Sequence, residues 1–95
     1  MPAFVIVEVS IHDPVLYEEY KKLSLPAVTA FEGKFVARGG LTFALEGDWN
    51  PQRLVIIEFP SVDKAREWWN SPQYTEARLI RERAAQTRML VVEGV

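Results

Sequence analysis

The sequence predicts an α+β fold: a single domain over residues 1–95 with one four-stranded antiparallel sheet and helices on one face. Three observations point there. Short Val- and Ile-rich runs are separated by longer stretches with helical spacing of apolar residues. The order of these runs is strand, helix, strand, strand, helix, strand. The chain has 95 residues and no cysteine, so a core of ordinary size must hold it without disulfides.

Ala3 to Ser10 reads as the first strand, with Phe, Val, Ile, Val and Val interrupted by Glu8. Asp13-Pro14 starts a helix, Asp as N-cap and Pro in the first turn. Leu16, Tyr20 and Leu23 fall on one face of it. Pro26 lacks an N–H and clashes with the preceding turn, so it is expected to kink or break the helix. A second piece then runs from Ala27 to Phe31, and Gly33 stops it. Lys34 to Arg38 and Leu41 to Glu46 read as strand segments on either side of Gly39-Gly40, a pair that marks a bulge or a close backbone approach.

Gly47 to Pro51 is the clearest turn, and Arg53 to Phe59 is the third strand. Ser61 caps the next helix, whose inner face is read as Val62, Ala65 and Trp69. Ser71-Pro72 restarts it, and Ala77, Ile80 and Ala84 continue the inner stripe. Met89 to Glu93 is the last strand. The order βαββαβ is that of the ferredoxin-like fold. Residues 5–9 and 55–59 echo one another, as two similar halves would. Right-handed crossovers are taken to set the first and third strands side by side and parallel at the sheet centre.

Side chains alternate along a strand. Val5, Val7 and Val9 share one face of the first strand, and Phe4, Ile6 and Glu8 the other. In the third strand Val55, Ile57 and Phe59 oppose Leu54, Ile56 and Glu58. Both faces are largely apolar, yet the helices cover only one. The other is expected to pack on the same face of a second copy. A chain this short buries only roughly 60–65% of its unfolded surface, so it gains from such pairing.

Composition narrows the function classes. With 48% hydrophobic and 25% charged residues, the chain is ordinary globular protein. A formal net charge of −2 without a basic run argues against nucleic acid and anionic membranes as partners. The N-terminus lacks the pattern of a signal peptide, and no apolar run approaches the ~18–20 residues of a membrane span, so a cytoplasmic location is expected. One histidine, His12, and no cysteine make a metal centre an unexpected feature. Phosphate-binding loops, dinucleotide fingerprints and nucleophile elbows are absent.

The polar residues on otherwise apolar elements are the site candidates. Glu8 and Glu58 occupy matching positions on strands expected to be neighbours, and close carboxylates suit general acid or base chemistry. Against this, acids near strand ends are commonly solvated or paired with arginine. Arg38, beside Gly39, is placed to neutralise Glu58 or to clamp a carboxylate, with a surface arginine as the alternative. Trp68 is expected at a pocket rim or dimer contact, because Trp69 fits the inner stripe. Ser71 opens a helix whose N-terminus favours anions, although capping alone explains it. Tyr74 and Arg81, seven apart, share a helix face. Outside such a shared site Arg78, Arg81, Arg83 and Arg88 read as solvated positives, as does His12 in its loop.

Several of these blocks occur together in a known family. Ala37-Arg38-Gly39-Gly40, Leu45-Glu46-Gly47-Asp48-Trp49, Glu58-Phe59-Pro60-Ser61, Trp68-Trp69, Ser71-Pro72 with Tyr74, and the closing Val92-Glu93-Gly94 resemble domain-of-unknown-function family 1330, within the dimeric α+β barrel superfamily. Glu32 departs from the pattern, standing where the family often has a second glycine. The resemblance implies a homodimer with two sheets facing each other as a barrel. It also implies kinship with proteins that act on small organic molecules without metal or organic cofactor. Carried over by motif, Arg38 and Glu58 are the catalytic candidates. Tyr20, Gly39, Trp68, Ser71, Tyr74 and Arg81 are the ligand-binding candidates. Two functions follow as expectations: a homodimer that binds a small organic ligand such as a carboxylate or works as a cofactor-independent enzyme, or a non-catalytic structural or regulatory module with an Arg–Glu network.

Overall fold

In a computed structural model, which describes residues 1–95, the strand runs and amphipathic stretches become β1 (Ala3–Ile11), α1 (Pro14–Ala30), β2 (Lys34–Arg38), β3 (Arg53–Phe59), α2 (Val62–Asn70), α3 (Pro72–Ala84) and β4 (Ala85–Glu93). The sheet order is β2-β3-β1-β4. Each neighbouring pair is antiparallel.

The first and third strands are adjacent, as expected, but antiparallel rather than parallel. The crossover rule applies to β1 with β2 and to β3 with β4, the strands joined through helices. The hairpin-like reversal between β2 and β3 then sets β3 against β1. The register pairs Phe4 with Glu58 and Glu8 with Leu54. Matching sequence positions therefore lie at opposite ends of the strand pair, and Glu8 is not beside Glu58.

Burial alternates along both central strands. Val5, Val7, Val9, Val55, Ile57 and Phe59 pack under the helices. Phe4, Ile6, Leu54 and Ile56 are half-buried on the open face, where Leu90 is exposed as well. An apolar open face, expected from the alternation, is thus present.

Asp13 caps α1 by accepting the Leu16 N–H at 3.0 Å. The helix runs through Pro26 unbroken. Pro26 and Lys22, whose carbonyl loses its helical partner, are both exposed, so water can serve the freed group. The buried stripe of α1 is Tyr17, Tyr20, Ser24, Ala27 and Val28. Leu16 and Leu23 only flank it.

The end of α1 uses Glu32, not Gly33, as its left-handed residue, with φ +63°. The Gly33 N–H donates to the Val28 carbonyl at 2.9 Å and closes the last turn. Gly33 is required for space, since a Cβ there would stand 2.6 Å from the Phe59 ring. A left-handed Glu carries a steric cost that glycine avoids. Glu32→Gly is expected to stabilise the protein by about 0.5–1 kcal/mol in urea unfolding. The exposed Lys64–Glu32 pair it removes, at 3.4 Å, offsets little. A loss of stability would refute the left-handed assignment.

Ser61 caps α2 and Ser71 caps α3. The inner face of α2 is Ala65 and Trp68, so the two tryptophans exchange the places expected of them. Trp68 is fully buried and lies 5.1 Å from Phe59 and 4.1 Å from Tyr74, centroid to centroid. Trp69 is half-buried, with the Arg78 guanidinium 4.4 Å above its ring. Leu41–Glu46 is not a strand; β2 ends at Arg38 after a bulge between Phe35 and Ala37. β4 begins four residues before Met89, because α3 hands directly to the strand at Ala85.

Candidate functional site

The buried face of α1 presents three polar side chains to the sheet and α3. Tyr20 Oη lies 2.9 Å from Tyr74 Oη, and Ser24 Oγ donates to Tyr20 Oη at 3.5 Å. From α3, Arg81 Nη1 donates to Tyr74 Oη at 2.8 Å. The spacing of Tyr74 and Arg81, two turns apart, makes this contact as the sequence suggests. Arg81 is only 6% exposed, so it is not one of the solvated arginines.

This network has a direction. Tyr74 is fully buried. If Tyr20 donated to Tyr74, the Tyr74 proton would be left without an acceptor in the core, at a cost of about 1–3 kcal/mol. The favoured order is therefore Arg81 to Tyr74 to Tyr20. The Tyr20 proton then remains unspent. Tyr20 lines a cleft between α1 and the sheet, together with Tyr17, Lys21, Ser24, Arg38 and Arg53.

Every polar group in that cleft is a donor or a cation apart from hydroxyl oxygens, and no carboxylate lines it. Arg53 reaches it from the start of β3, its guanidinium 5.5 Å from the Tyr17 ring, and its Nε is buried without a partner. Arg81 Nε is likewise buried and unpartnered. Neither arginine forms an ion pair. Gly39, at φ +73°, lets the backbone pass against Arg53, whose guanidinium a Cβ would overlap. Burial pushes the Tyr17 phenol up, reinforced by Tyr20 and opposed by Arg53 and Arg81. Burial pushes Tyr74 up further, reinforced by Tyr20 and opposed by Arg81. These phenols stay protonated at neutral pH and act as hydrogen-bond donors rather than bases. The cleft has a volume of about 20 Å³, room for one water-sized group.

The carboxylates lie elsewhere. Glu8 and Glu58 are on the open face, each with its own cation. Arg88 Nη2 donates to Glu8 Oε1 at 2.8 Å, and Trp49 Nε1 donates to the same oxygen at 3.1 Å. The Arg88 and Trp49 hydrogen bonds hold the Glu8 carboxyl below the usual range. Glu58 has Lys34, its cross-strand neighbour, at 3.8 Å. Arg38 pairs across from Val55 and points with it to the helix side, its guanidinium 4.2 Å from the Phe35 ring. Arg38 and Glu58 therefore stand on opposite faces of the sheet. The expected Arg38–Glu58 neutralisation is not formed, because the bulge at Val36 and the strand alternation separate them.

Of the expected site residues, Tyr20 and Arg38 line the cleft, Tyr74 and Arg81 reach it only through Tyr20, Gly39 passes against Arg53, and Glu58 lies outside it. Trp68 is packing. Ser71 is occupied as a cap, donating to the Trp68 carbonyl and accepting from the Tyr74 N–H. His12 is exposed. Tyr17, Ser24 and Arg53 were missed. Tyr17 and Ser24 fall at i−3 and i+4 from Tyr20, so they share its face. Arg53 opens β3 in phase with Val55 and Ile57.

Comparison with known proteins agrees with this architecture. The chain is similar to RPA0582, a protein of unknown function from Rhodopseudomonas palustris, with TM-score 0.78 and 25% identity over 99% of this chain and 82% of that one. It is similar in fold to a dimeric ferredoxin-like protein of unknown function from Jannaschia sp. CCS1, with TM-score 0.75 and 10% identity over 99% and 100% of the two chains. SnoaB, a cofactor-independent oxygenase from Streptomyces nogalater, superposes with TM-score 0.64 and 12% identity over 99% and 93%. No curated protein matches. No helix is long and apolar enough to cross a membrane. The family model described as Domain of unknown function (DUF1330) matches residues 2–95, and the chain belongs to that family.

Proposed function

We propose that the protein is a homodimer, joined through its open sheet faces, in which each protomer binds a small organic carboxylate at the cleft between α1 and the sheet. The observation that carries this reading is the one-sided chemistry of the cleft. Arg53, Arg38 and the unspent Tyr20 proton converge where no acceptor stands, while Lys21, which also lines the cleft, is paired with Glu18 at 2.9 Å. Arg53 is half-buried and has no ion pair, and a carboxylate supplies the missing partner in a bidentate geometry that suits arginine. Arg38 is exposed, so its side chain can swing aside to enlarge a cleft that now has room for one water. The dimeric ferredoxin-like proteins of similar fold support the pairing. The fold also hosts a cofactor-independent oxygenase in Streptomyces nogalater, which supports a small organic molecule as the ligand class.

The small cleft volume favours a second reading, in which the tyrosine–arginine network only stiffens the packing of α1 on α3 and the protein is an assembly module. Thermal unfolding with acetate, benzoate and succinate separates the two. A ligand at about 100 times its Kd adds about 2.7 kcal/mol, a rise of several degrees for a domain of this size. Arg53→Gln and Tyr20→Phe are expected to abolish most of that rise. The ligand reading fails if none of the carboxylates moves the midpoint, or if the rise survives in Arg53→Gln.

A further inference from the structure

Residues 40–50 form no backbone hydrogen bond with the rest of the chain, and within them Leu41, Phe43 and Leu45 are 95%, 75% and 88% exposed. Such exposure is close to that of an unfolded chain, yet the order Leu41-Thr42-Phe43-Ala44-Leu45-Glu46 has the period-two alternation of a strand. The alternation is that of a strand, although the segment is not one here. What is missing is a neighbouring strand to pair with.

The same molecule carries an unfilled counterpart. β4 is an edge of the sheet, so one side of its backbone is unpaired. Leu90, Val91 and Val92 are exposed on it. Beside that edge, a groove of about 200 Å³ runs between α2 and β4, lined by Val5, Ala65, Trp68, Met89 and Val91, with Arg66 its one charged residue. The chain cannot fill its own groove with its own arm. The arm leaves the sheet next to β2, the opposite edge, and Trp49 ties its far end to Glu8 on the open face. The groove lies on the helix side, with Val5, Met89 and Val91 in phase there.

We propose that Leu41–Glu46 is an exchange arm, which in the homodimer adds as a fifth strand to the free edge of β4 in a second copy of this chain. This rests on the homodimer reading given above. Leu41, Phe43 and Leu45 then enter the partner's groove, while Thr42 and Ala44 turn toward the open-face side that Leu90 and Val92 occupy. Charge agrees: the three side chains that enter are uncharged, and Glu46, in phase with Thr42 and Ala44, stays on the open-face side and out of the apolar groove. Two-fold symmetry makes the exchange reciprocal, so both arms and both edges are satisfied together.

The absence of cysteine allows a clean test. Protein carrying Thr42→Cys or Ala44→Cys is mixed with protein carrying Leu90→Cys or Val92→Cys and oxidised mildly. Facing cross-strand positions are about 4.5–5.5 Å apart at Cβ, so a covalent heterodimer is expected on a non-reducing gel from at least one pairing. In parallel, Leu41→Ser, Phe43→Ser and Leu45→Ser are combined. These side chains are exposed, so the protomer is expected to keep its circular dichroism while its dimer dissociation constant rises at least 100-fold in sedimentation equilibrium. If the wild type is dimeric but the triple variant dimerises equally well and no pairing cross-links, the arm assignment is overturned and the homodimer stands. A disulfide formed within one chain by a double-cysteine variant overturns it as well. A wild type that stays monomeric at micromolar concentration overturns both.

Discussion

Trp68→Ala is expected to cost about 3–5 kcal/mol of unfolding free energy, the largest loss for a single side chain in this protein. Trp68 is the largest fully buried side chain and lies between Phe59 on β3 and Tyr74 on α3. It is thus the point where α2, α3 and the sheet meet. Its indole N–H is buried without a partner, so the substitution breaks no hydrogen bond and the loss is one of packing. Domains of this size hold about 5–15 kcal/mol in total, and each kcal/mol moves the midpoint by about 4–8 °C. A fall of about 12–40 °C follows. The neighbouring Trp69→Ala supplies the contrast: half-buried and in contact with Arg78, it is expected to cost less than about 2 kcal/mol. Urea unfolding followed by circular dichroism, at one fixed protomer concentration, measures both. If Trp69→Ala proves the more costly, the orientation of α2 described here is wrong.

That pair also shows where the sequence falls silent. α2 has nine residues, two and a half turns. From Ala65, positions i+3 and i+4 are both compatible with an inner face, so Trp68 and Trp69 compete on equal terms. Phe59 and Tyr74 settle the matter, and both belong to other elements. Longer elements carried more information. Nine residues of β1 and seven of β3 repeat their alternation often enough to fix which side chains face the helices.

Strand direction was legible only through connectivity, and the echo between residues 5–9 and 55–59 misled. It aligned Glu8 with Glu58 as if the strands were parallel, whereas the antiparallel register sends them to opposite ends. The candidate site was half legible for a similar reason. Tyr74 and Arg81 lie on one helix, so spacing alone brings them together. Arg53 joins them from a strand that starts 21 residues before Tyr74, and only the packing of α1 over β3 makes it part of the cleft.

Arg81→Met is expected to leave the protein as stable as before, or up to about 2 kcal/mol more stable, while weakening carboxylate binding at least tenfold. The first half follows from burial. A guanidinium at 6% exposure has been taken out of water, and no carboxylate faces it. Apolar side chains of similar volume that replace buried charges are often neutral or stabilising by about 1–4 kcal/mol. Methionine fills most of the same space, and Tyr74 Oη keeps Tyr20 as a partner. The second half follows from the direction of the network. Without Arg81, the Tyr74 hydroxyl loses the donor that fixes its position, and the Tyr20 hydroxyl bonded to it is no longer held in one orientation. The cleft then loses the donor that Arg81 had oriented toward it, although Arg81 never touches the ligand. A tenfold loss in affinity is about 1.4 kcal/mol, the scale of one hydrogen bond. Calorimetric titration and urea unfolding of the same variant decide between the readings. Destabilisation beyond about 2 kcal/mol with affinity unchanged would make Arg81 a structural residue. Retained stability with weakened binding would show that a buried, unpaired cation persists in this fold because the cleft needs it to hold Tyr20 in place.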